Sequence, residues 1–406
     1  MRPFLRRSLQ RWIGAACWLG GGGWLGLTMP PPALAQDLLP LPAWMDLELQ
    51  VVAEPMINPA GGLSSTGNWM QQSTASLEAG SGVNKDSSQW SEANHWLLNL
   101  ELNHYAGNPL YGQEIGAIFP LQQVAHGDGF WMSEVSLERK AGTGWLGLKA
   151  GVLSLNPDFI AAPVLDYYVH SALNNTLNIT INDLPINPYA AAGGVVAIEA
   201  QEDLSLRYGL FNLSSSLPVA NWLGSKQELP SAGEGWAQLL QVTYTPRWLT
   251  AGTPTAPSSG ARLPEGLLQA GSYITSRDGY GIYGTATWSS PLRLGRDHRL
   301  WVGANVSVDD PTDLSPVFLG AGVISKGVLP GRPNDVLILG FGRSSLQQNP
   351  SAGQTSSYEG LAELGYQLQL NARIMLKPTL QWVVHPGPRG DVPGILATGL
   401  EISLRF

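Results

Sequence analysis

The C-terminal stretch LEISLRF, residues 400–406, alternates apolar and polar residues without a break. Side chains at every second position of a strand point to the same face. One face therefore holds Leu400, Ile402, Leu404 and Phe406, and the other holds Glu401, Ser403 and Arg405. Such a strand suits a wall between lipid and water, and its terminal aromatic resembles the signal that the bacterial outer-membrane assembly machinery reads. The alternative is an edge strand of a soluble β-sandwich.

The opposite end of the chain reads as an export signal. Arginines at positions 2, 6, 7 and 11 precede an apolar stretch over 12–29, and Ala33-Leu34-Ala35 has the small-x-small pattern of a signal-peptidase site. We expect cleavage before Gln36 after export by the general secretory route. An uncleaved transmembrane anchor is the alternative, because the apolar stretch is just long enough to span a bilayer.

Composition narrows the function classes. The only cysteine, Cys17, lies within the export signal, so the mature chain is predicted to hold no disulfide and no thiolate metal site. The formal net charge of −8 argues against nucleic acid as a partner, because nucleic-acid-binding proteins cluster Lys and Arg.

Alternation with period two recurs along the rest of the chain in segments of about ten residues, which is the pattern of an outer-membrane barrel. Residues 96–103 and 300–309 show it most clearly. The predicted strands are 45–54, 70–80, 95–104, 131–139, 144–153, 192–201, 203–212, 236–246, 265–275, 281–290, 298–308, 316–325, 334–343, 357–368, 371–384 and 394–406. The fold class is thus all-β, a transmembrane antiparallel up-and-down barrel of about 16 strands, which encloses an aqueous lumen. The domain prediction is a signal over 1–35, a short periplasmic segment over 36–44 and a barrel over 45–406.

The connections between predicted strands differ in length. Those at 201–203 and 369–371 are very short, as periplasmic turns are. Four others are long and rich in Pro, Gly, Asn and Ser: 105–130, 154–191, 247–264 and 344–356. The segment 154–191 is too long for a bare connection, so we expect it to fold into the lumen. A loose external loop is the alternative.

Aromatic residues near predicted strand ends favour a membrane barrel. Trp96, Trp131, Trp288 and Tyr358 fall where girdles of Trp and Tyr sit at the boundary between lipid and water.

Several collinear stretches resemble one family. They are 53–62, 116–124, 131–151, the turn Leu329-Pro330-Gly331-Arg332-Pro333-Asn334-Asp335 with its following strand to 342, and the tail from 376 to 406. Together they are similar to the carbohydrate-selective porins of the OprB type. The resemblance implies a channel for sugars. Members commonly carry basic residues on the strand entering residue 195. This chain reads Val195-Val196-Ala197-Ile198-Glu199 there, so it departs from the family in part of the usual charged constriction.

The alternation assigns charged residues to the lumen. The channel-lining candidates are Glu101, Glu134, Glu138, Arg207, Glu359, Glu363, Glu401 and Arg405, with Lys149 and Arg343 as further ones. For each, the alternative is a structural role in bracing neighbouring strands. Glu401 and Arg405 are too far apart to pair directly, so we expect their partners on adjacent strands. The assembly signal is assigned to Leu400, Ile402, Leu404 and Phe406.

No pattern in the sequence indicates catalysis. The six histidines are scattered without metal-ligand spacing, and no G-x-S-x-G motif occurs, so neither an enzyme, a cofactor nor a metal site is predicted. The predicted function is an outer-membrane porin for passive diffusion of sugars and other small hydrophilic solutes. The alternatives are a non-conducting structural or adhesion barrel and a secreted β-sandwich that binds or hydrolyses glycans. The expected partners are outer-membrane lipid, the assembly machinery, periplasmic chaperones and small sugars, with the chain as a monomer or homotrimer.

Overall fold

Sixteen antiparallel strands make up most of the chain in the computed structural model of the protein. The structure describes residues 41–81, 95–141, 144–174, 184–213, 235–250, 263–276, 279–289, 295–308, 314–349 and 353–406. The predicted signal at 1–35 and most of the predicted segment 36–44 lie outside these ranges. None of the helices in the described ranges is long and apolar enough to cross a membrane.

The observed strands fall at the predicted places, and most boundaries agree within two residues. In chain order they are β1 Met45–Ala60, β2 Thr66–Gly80, β3 His95–Gly107, β4 Gly129–Ala141, β5 Leu146–Leu153, β6 Ala191–Gln201, β7 Leu204–Asn212, β8 Trp236–Tyr244, β9 Leu267–Thr275, β10 Tyr280–Trp288, β11 Asp297–Val308, β12 Val317–Lys326, β13 Val336–Ser345, β14 Tyr358–Gln369, β15 Ile374–Val384 and β16 Ile395–Arg405. The largest difference is β1, which continues six residues beyond its predicted end at 54.

The sheet closes on itself. Each strand pairs with its neighbours in the chain, and β16 returns to pair with β1, with Leu404 opposite Val51 and Ile402 opposite Ala53. The terminal Phe406 extends this ladder, since its N–H donates to the Leu49 carbonyl at 2.8 Å and its carbonyl accepts from the Leu49 N–H at 3.2 Å. Closure leaves no unpaired sheet edge. The predicted barrel is therefore confirmed.

The wall has two chemically different faces. On β15, Leu380 and Trp382 point outward and are 44% and 58% exposed, whereas Thr379 and Gln381 point inward and are buried. Large apolar side chains are likewise exposed on β12, β13, β14 and β16, among them Leu319, Phe341, Leu364 and Leu396. Soluble monomers rarely expose a contiguous apolar surface of this extent, so the outer wall suits lipid rather than water.

A β-bulge in β4 changes the orientation of one predicted girdle residue. Glu101 on β3 pairs with Glu134, but the next residue, Leu102, pairs with Met132, so β4 holds an extra residue at this point. The extra residue reverses the inward and outward positions beyond it. Trp131 consequently points inward, is buried, and packs against Tyr189 with ring centroids 5.3 Å apart. The prediction that Trp131 belongs to an outer girdle was wrong.

The connections between strands differ in length but do not alternate strictly, since those at 61–65 and 276–279 are short although they lie at the same end of the barrel as the longest loops. The two-residue and four-residue turns at 202–203 and 370–373 lie at one end, called here the short-turn end. The connections 108–128 and 154–190 lie at the opposite, long-loop end. The long segment predicted over 247–264 falls within the connection 245–266, which joins β8 to β9 and so begins and ends at the short-turn end.

Two long loops fill much of the barrel interior. Leu165, Tyr168 and Leu173 of the loop 154–190 are fully buried, as are Leu110 and Leu121 of the loop 108–128. They form one apolar cluster with inward-pointing wall residues that include Trp301, Phe318 and Ile338. The predicted inward folding of the segment 154–191 is therefore confirmed for its described residues, and the loop 108–128 folds inward as well.

Candidate functional site

Strand β14 anchors the loop 154–190 through Glu363. The Val169 N–H donates to one carboxylate oxygen at 2.8 Å, and the His170 N–H donates to the other at 2.7 Å. Glu363 is buried, and the backbone N–H groups of an irregular loop need such partners when they leave water. Glu363, which accepts one hydrogen bond at each carboxylate oxygen, therefore anchors the loop to the wall.

Glu359, four residues earlier on β14, holds the other loop. The N–H groups of Ile118 and Phe119 donate to its two oxygens at 2.9 and 3.4 Å, and the Gly387 N–H donates at 2.6 Å. Glu359 is also buried. Both residues point inward as predicted, but each contacts a loop rather than an open path, which agrees with the structural alternative.

A third buried carboxylate, Glu401, occupies the centre of a small polar network. Lys377 on β15 lies 2.8 Å from it and Gln123 of the loop 108–128 donates to it at 2.8 Å. The expectation that Glu401 would find a partner on an adjacent strand is confirmed. Glu54 on β1, which was not among the channel-lining candidates, accepts the Val124 N–H of the same loop at 3.3 Å. Four wall carboxylates thus hold the two loops inside the barrel.

Tyr168 fixes the middle of the loop 154–190 against the wall. Its hydroxyl accepts from the Trp301 indole N–H at 2.7 Å and donates to the Leu339 carbonyl at 3.0 Å. A Cβ atom at Gly340 would collide with the Tyr168 ring, so the wall needs glycine at that position. The neighbouring His170 is neutral, because burial lowers its pKa to about 3.

The wall from β3 to β7 carries inward acidic residues on β3 and β4 and inward basic residues on β5 and β7. Lys149 Nζ lies 2.7 Å from Glu134 and 3.2 Å from Asp158 of the loop, and an Arg207 Nη donates to the Asp158 carbonyl at 3.0 Å. Glu101 accepts from the Asn187 side chain at 3.0 Å. Glu101, Glu134, Lys149 and Arg207 therefore all point inward, and the loop 154–190 brings them into one connected group.

The remaining predicted residues lie nearer the short-turn end. Arg405 pairs with Glu48 on β1 at 2.9 Å, which confirms its expected partner on an adjacent strand, and both side chains are at least half exposed. Glu138 faces inward opposite Lys149, and Glu78 on β2 is exposed. By contrast, the side chains of Glu401 and Lys377 are at most 4% exposed. Water-accessible charges are thus found along β1 to β4 and the end of β16.

Arg343 was placed in the lumen as a further candidate, and this was wrong. It lies on the outward face of β13, with its guanidinium carbon 4.6 Å from the ring centroid of Tyr358. Tyr358 stands at the start of β14 at the long-loop end, in the position predicted for a girdle residue.

Sequence reasoning missed Asp166, which lies in a single helical turn, Leu165–Tyr167, of the inward loop. Its side chain is exposed to the lumen, yet protein surrounds it closely enough for desolvation to raise its pKa to about 6, an effect that Lys377 opposes. An exposed carboxylate that protein surrounds on several sides, as Asp166 is, is expected on the wall of a narrow passage. Within the described ranges, no group of three His, Cys, Asp or Glu side chains could hold a metal ion.

Comparison with known proteins agrees with this architecture. Residues 285–406 match the family described as carbohydrate-selective porin, OprB family. The structure of Pseudomonas putida OprB at high pH has a TM-score of 0.73 and 17% sequence identity, covering 90% of this chain and 94% of that one. The outer membrane channel DcaP of Acinetobacter baumannii has a TM-score of 0.53 and 11% identity, covering 89% and 97%. No curated protein matches the chain.

At these identities the solved structures establish a shared fold, and the family match carries the sequence relationship. The matched range contains the turn at 329–335 and the closing tail from 376. The resemblance predicted from the sequence is therefore confirmed in the last third of the chain.

Proposed function

We propose that this chain, whose residues 285–406 carry the sequence of the carbohydrate-selective porin family, is an outer-membrane porin for passive diffusion of sugars and other small hydrophilic solutes. The observation that supports this function best is the combination of a closed sixteen-strand barrel, an apolar outer wall and loops fastened inside the lumen. Barrels of this strand number enclose an aqueous channel. Loops on the inner wall narrow that channel without a chemical step, so the family and fold are those of a channel rather than an enzyme.

The solvent-accessible path is lined by polar and acidic groups. Glu101, Glu134, Glu138 and Asp166 supply acceptors, and Lys149 and Arg207 supply donors. Groups of both kinds can replace the hydration shell of a sugar hydroxyl for a short time without holding it. Acidic side chains outnumber basic ones here, so we propose that cations pass more readily than anions.

We also propose how the chain is exported and assembled. Residues 1–35 act as a cleaved signal, 36–44 form a short periplasmic segment, and 45–406 form the barrel. The assembly signal consists of Leu400, Ile402, Leu404 and Phe406. Periplasmic chaperones deliver the unfolded chain to the assembly machinery. Cross-linking of the purified protein distinguishes a monomer from a homotrimer.

Planar-bilayer recording combined with liposome swelling tests the function. A porin gives discrete conductance steps, and vesicles that contain it swell at rates that fall with increasing sugar size. Insertion of folded protein without conductance would instead support the alternative, a structural or adhesion barrel. Conductance that is indifferent to added sugars, with no swelling, would leave a channel but remove sugars as its solutes.

A further inference from the structure

The outer wall over β4 to β8 contains a groove. Small residues, Ala150 and Gly194, form its floor, and they lie side by side in the sheet between Leu137 on β4 and Leu210 on β7. The groove encloses about 1090 Å³. Because large side chains flank small ones, this part of the wall has a trough in which a lipid chain can lie with contacts on three sides.

The two ends of the groove differ in chemistry. Trp236, at the start of β8, stands at the long-loop end, and Trp96, at the start of β3, stands at the short-turn end. Beside Trp96 lies Arg139, whose guanidinium carbon is 5.0 Å from the ring centroid. The Nε of Arg139 is buried and has no hydrogen-bond partner within the described residues. One end of an apolar trough therefore carries a positive charge.

The position of Arg139 indicates the chemistry of its ligand. An arginine on a lipid-facing wall is costly at the bilayer centre and tolerated near the interface, where Trp residues also lie. The guanidinium fork matches phosphate oxygens and can bind two of them at once. The short connections were predicted to be periplasmic turns, which places the short-turn end at the periplasm. The anion within reach of Arg139 then belongs to the inner leaflet.

We propose that this groove binds one anionic phospholipid, with its phosphate on Arg139 and an acyl chain along the trough floored by Ala150 and Gly194. Charge complementarity selects the headgroup, and the volume, slightly above the range of about 300–1,000 Å³ for small-molecule sites, accommodates a chain. The inference rests on the proposed membrane location and not on conductance.

Arg343 provides a matched control. It also points outward and stacks on an aromatic residue, Tyr358, at 4.6 Å. It lies on β13 at the long-loop end, away from β4 to β8. Arg343→Gln therefore removes the same charge from the outer wall without touching the groove.

Native mass spectrometry of the detergent-purified barrel tests the proposal. Wild type and Arg343→Gln should each retain one added phosphatidylglycerol in preference to phosphatidylcholine. Arg139→Gln should weaken that retention about tenfold, the effect of losing one charge-assisted hydrogen bond. Ala150→Leu, which fills the trough from its exposed floor, should weaken retention of both lipids. Heat-modifiable migration on gels shows that each variant is folded.

Several results would overturn the proposal. Equal retention of phosphatidylglycerol by wild type and Arg139→Gln, or no preference over phosphatidylcholine, would remove the headgroup site. Full retention by Ala150→Leu would remove the chain from the trough. A lipid-free oligomer that Ala150→Leu dissociates would show that a second copy covers the groove. A barrel that conducts in bilayers but retains no lipid refutes this inference alone, whereas a chain that fails to insert refutes the proposed function.

Discussion

Replacing Glu363 by glutamine should loosen the loop 154–190 while leaving the barrel intact. The Glu363 carboxylate accepts the Val169 and His170 N–H groups at 2.8 and 2.7 Å, one at each oxygen. A glutamine side chain has the same shape but offers only one acceptor, and its NH₂ group would face the second backbone N–H. One buried donor is then left without a partner, which costs about 1–3 kcal/mol.

That cost translates into a measurable population. If the penalty applies only when the loop is seated, the released state gains roughly 5- to 150-fold over its wild-type population. Single-channel records of Glu363→Gln should therefore show more frequent current fluctuations. Hydrogen exchange at the Val169 and His170 amides should accelerate by a similar factor.

Glu48→Gln is the matched control, because Glu48 is also an inward carboxylate but pairs with Arg405 at the strand end. It removes the same charge and should leave loop exchange and current noise unchanged. Unchanged amide exchange in Glu363→Gln would refute the reasoning. It would show that the packing of Tyr168 and Leu173 in the apolar cluster is sufficient to hold the loop.

Three further predictions follow from the lumen charges and the outer wall. Burial raises the pKa of Asp166 to about 6, so this carboxyl is mostly neutral at pH 5 and mostly ionised at pH 7. Reversal potentials measured in a salt gradient should therefore show a cation preference that rises between pH 5 and pH 7. Asp166→Asn should abolish this rise. Lys149 neutralises Glu134 and Asp158, so Lys149→Gln should shift the reversal potential further toward the cation value at pH 7, whereas Lys140→Gln, on the neighbouring strand, should shift it less. A charge at outward-facing Ile402 should impair assembly more than one at inward-facing Ser403. Ile402→Arg should lower the stability of the barrel in the membrane by about 1–3 kcal/mol, between the costs of an arginine at the bilayer midplane and at the interface. Equal amounts of heat-modifiable protein for Ile402→Arg and Ser403→Arg would contradict the assignment of faces.

The strands could be predicted from sequence because their signal is local. A residue's face depends only on its parity within a strand, so alternation over 96–103 or 300–309 is sufficient to place inward and outward side chains. This alternation rule fails where an extra residue in a strand shifts all later side chains to the opposite face. The bulge in β4 did this to Trp131, and no residue type in the segment marks the extra position.

The roles of the inward charges could not be predicted in the same way, because they depend on what the loops do. Alternation places Glu363 and Glu138 on the same side of the wall and cannot tell them apart. The difference arises from the loop 154–190, which reaches Glu363 across nearly two hundred residues of sequence separation. Asp166 was missed for a related reason, since a loop without periodicity gives no indication of which side chain meets water.

A signal that distinguishes the two kinds of charge is nevertheless present in the sequence. On β14 the inward position between Glu359 and Glu363 is Leu361, and the inward positions opposite it on β13 and β15 are Gly342 and Val383. On β2 to β4, the inward neighbours of Glu101 are Ser76, Asn99 and Asn103, all polar, and Ser136 lies beside Glu138, although the buried Leu97 stands opposite Glu138. Leucine or valine on an inward wall that contacts water contributes little to stability, whereas burying these side chains under a loop stabilises the fold. An inward carboxylate among inward apolar residues therefore indicates a covered wall, where the loop's backbone N–H groups must find acceptors. By this criterion Glu54, Glu359 and Glu363 are anchors, whereas Glu401 is not identified because its neighbour is Lys377. We expect the solute to meet the residues of the polar wall.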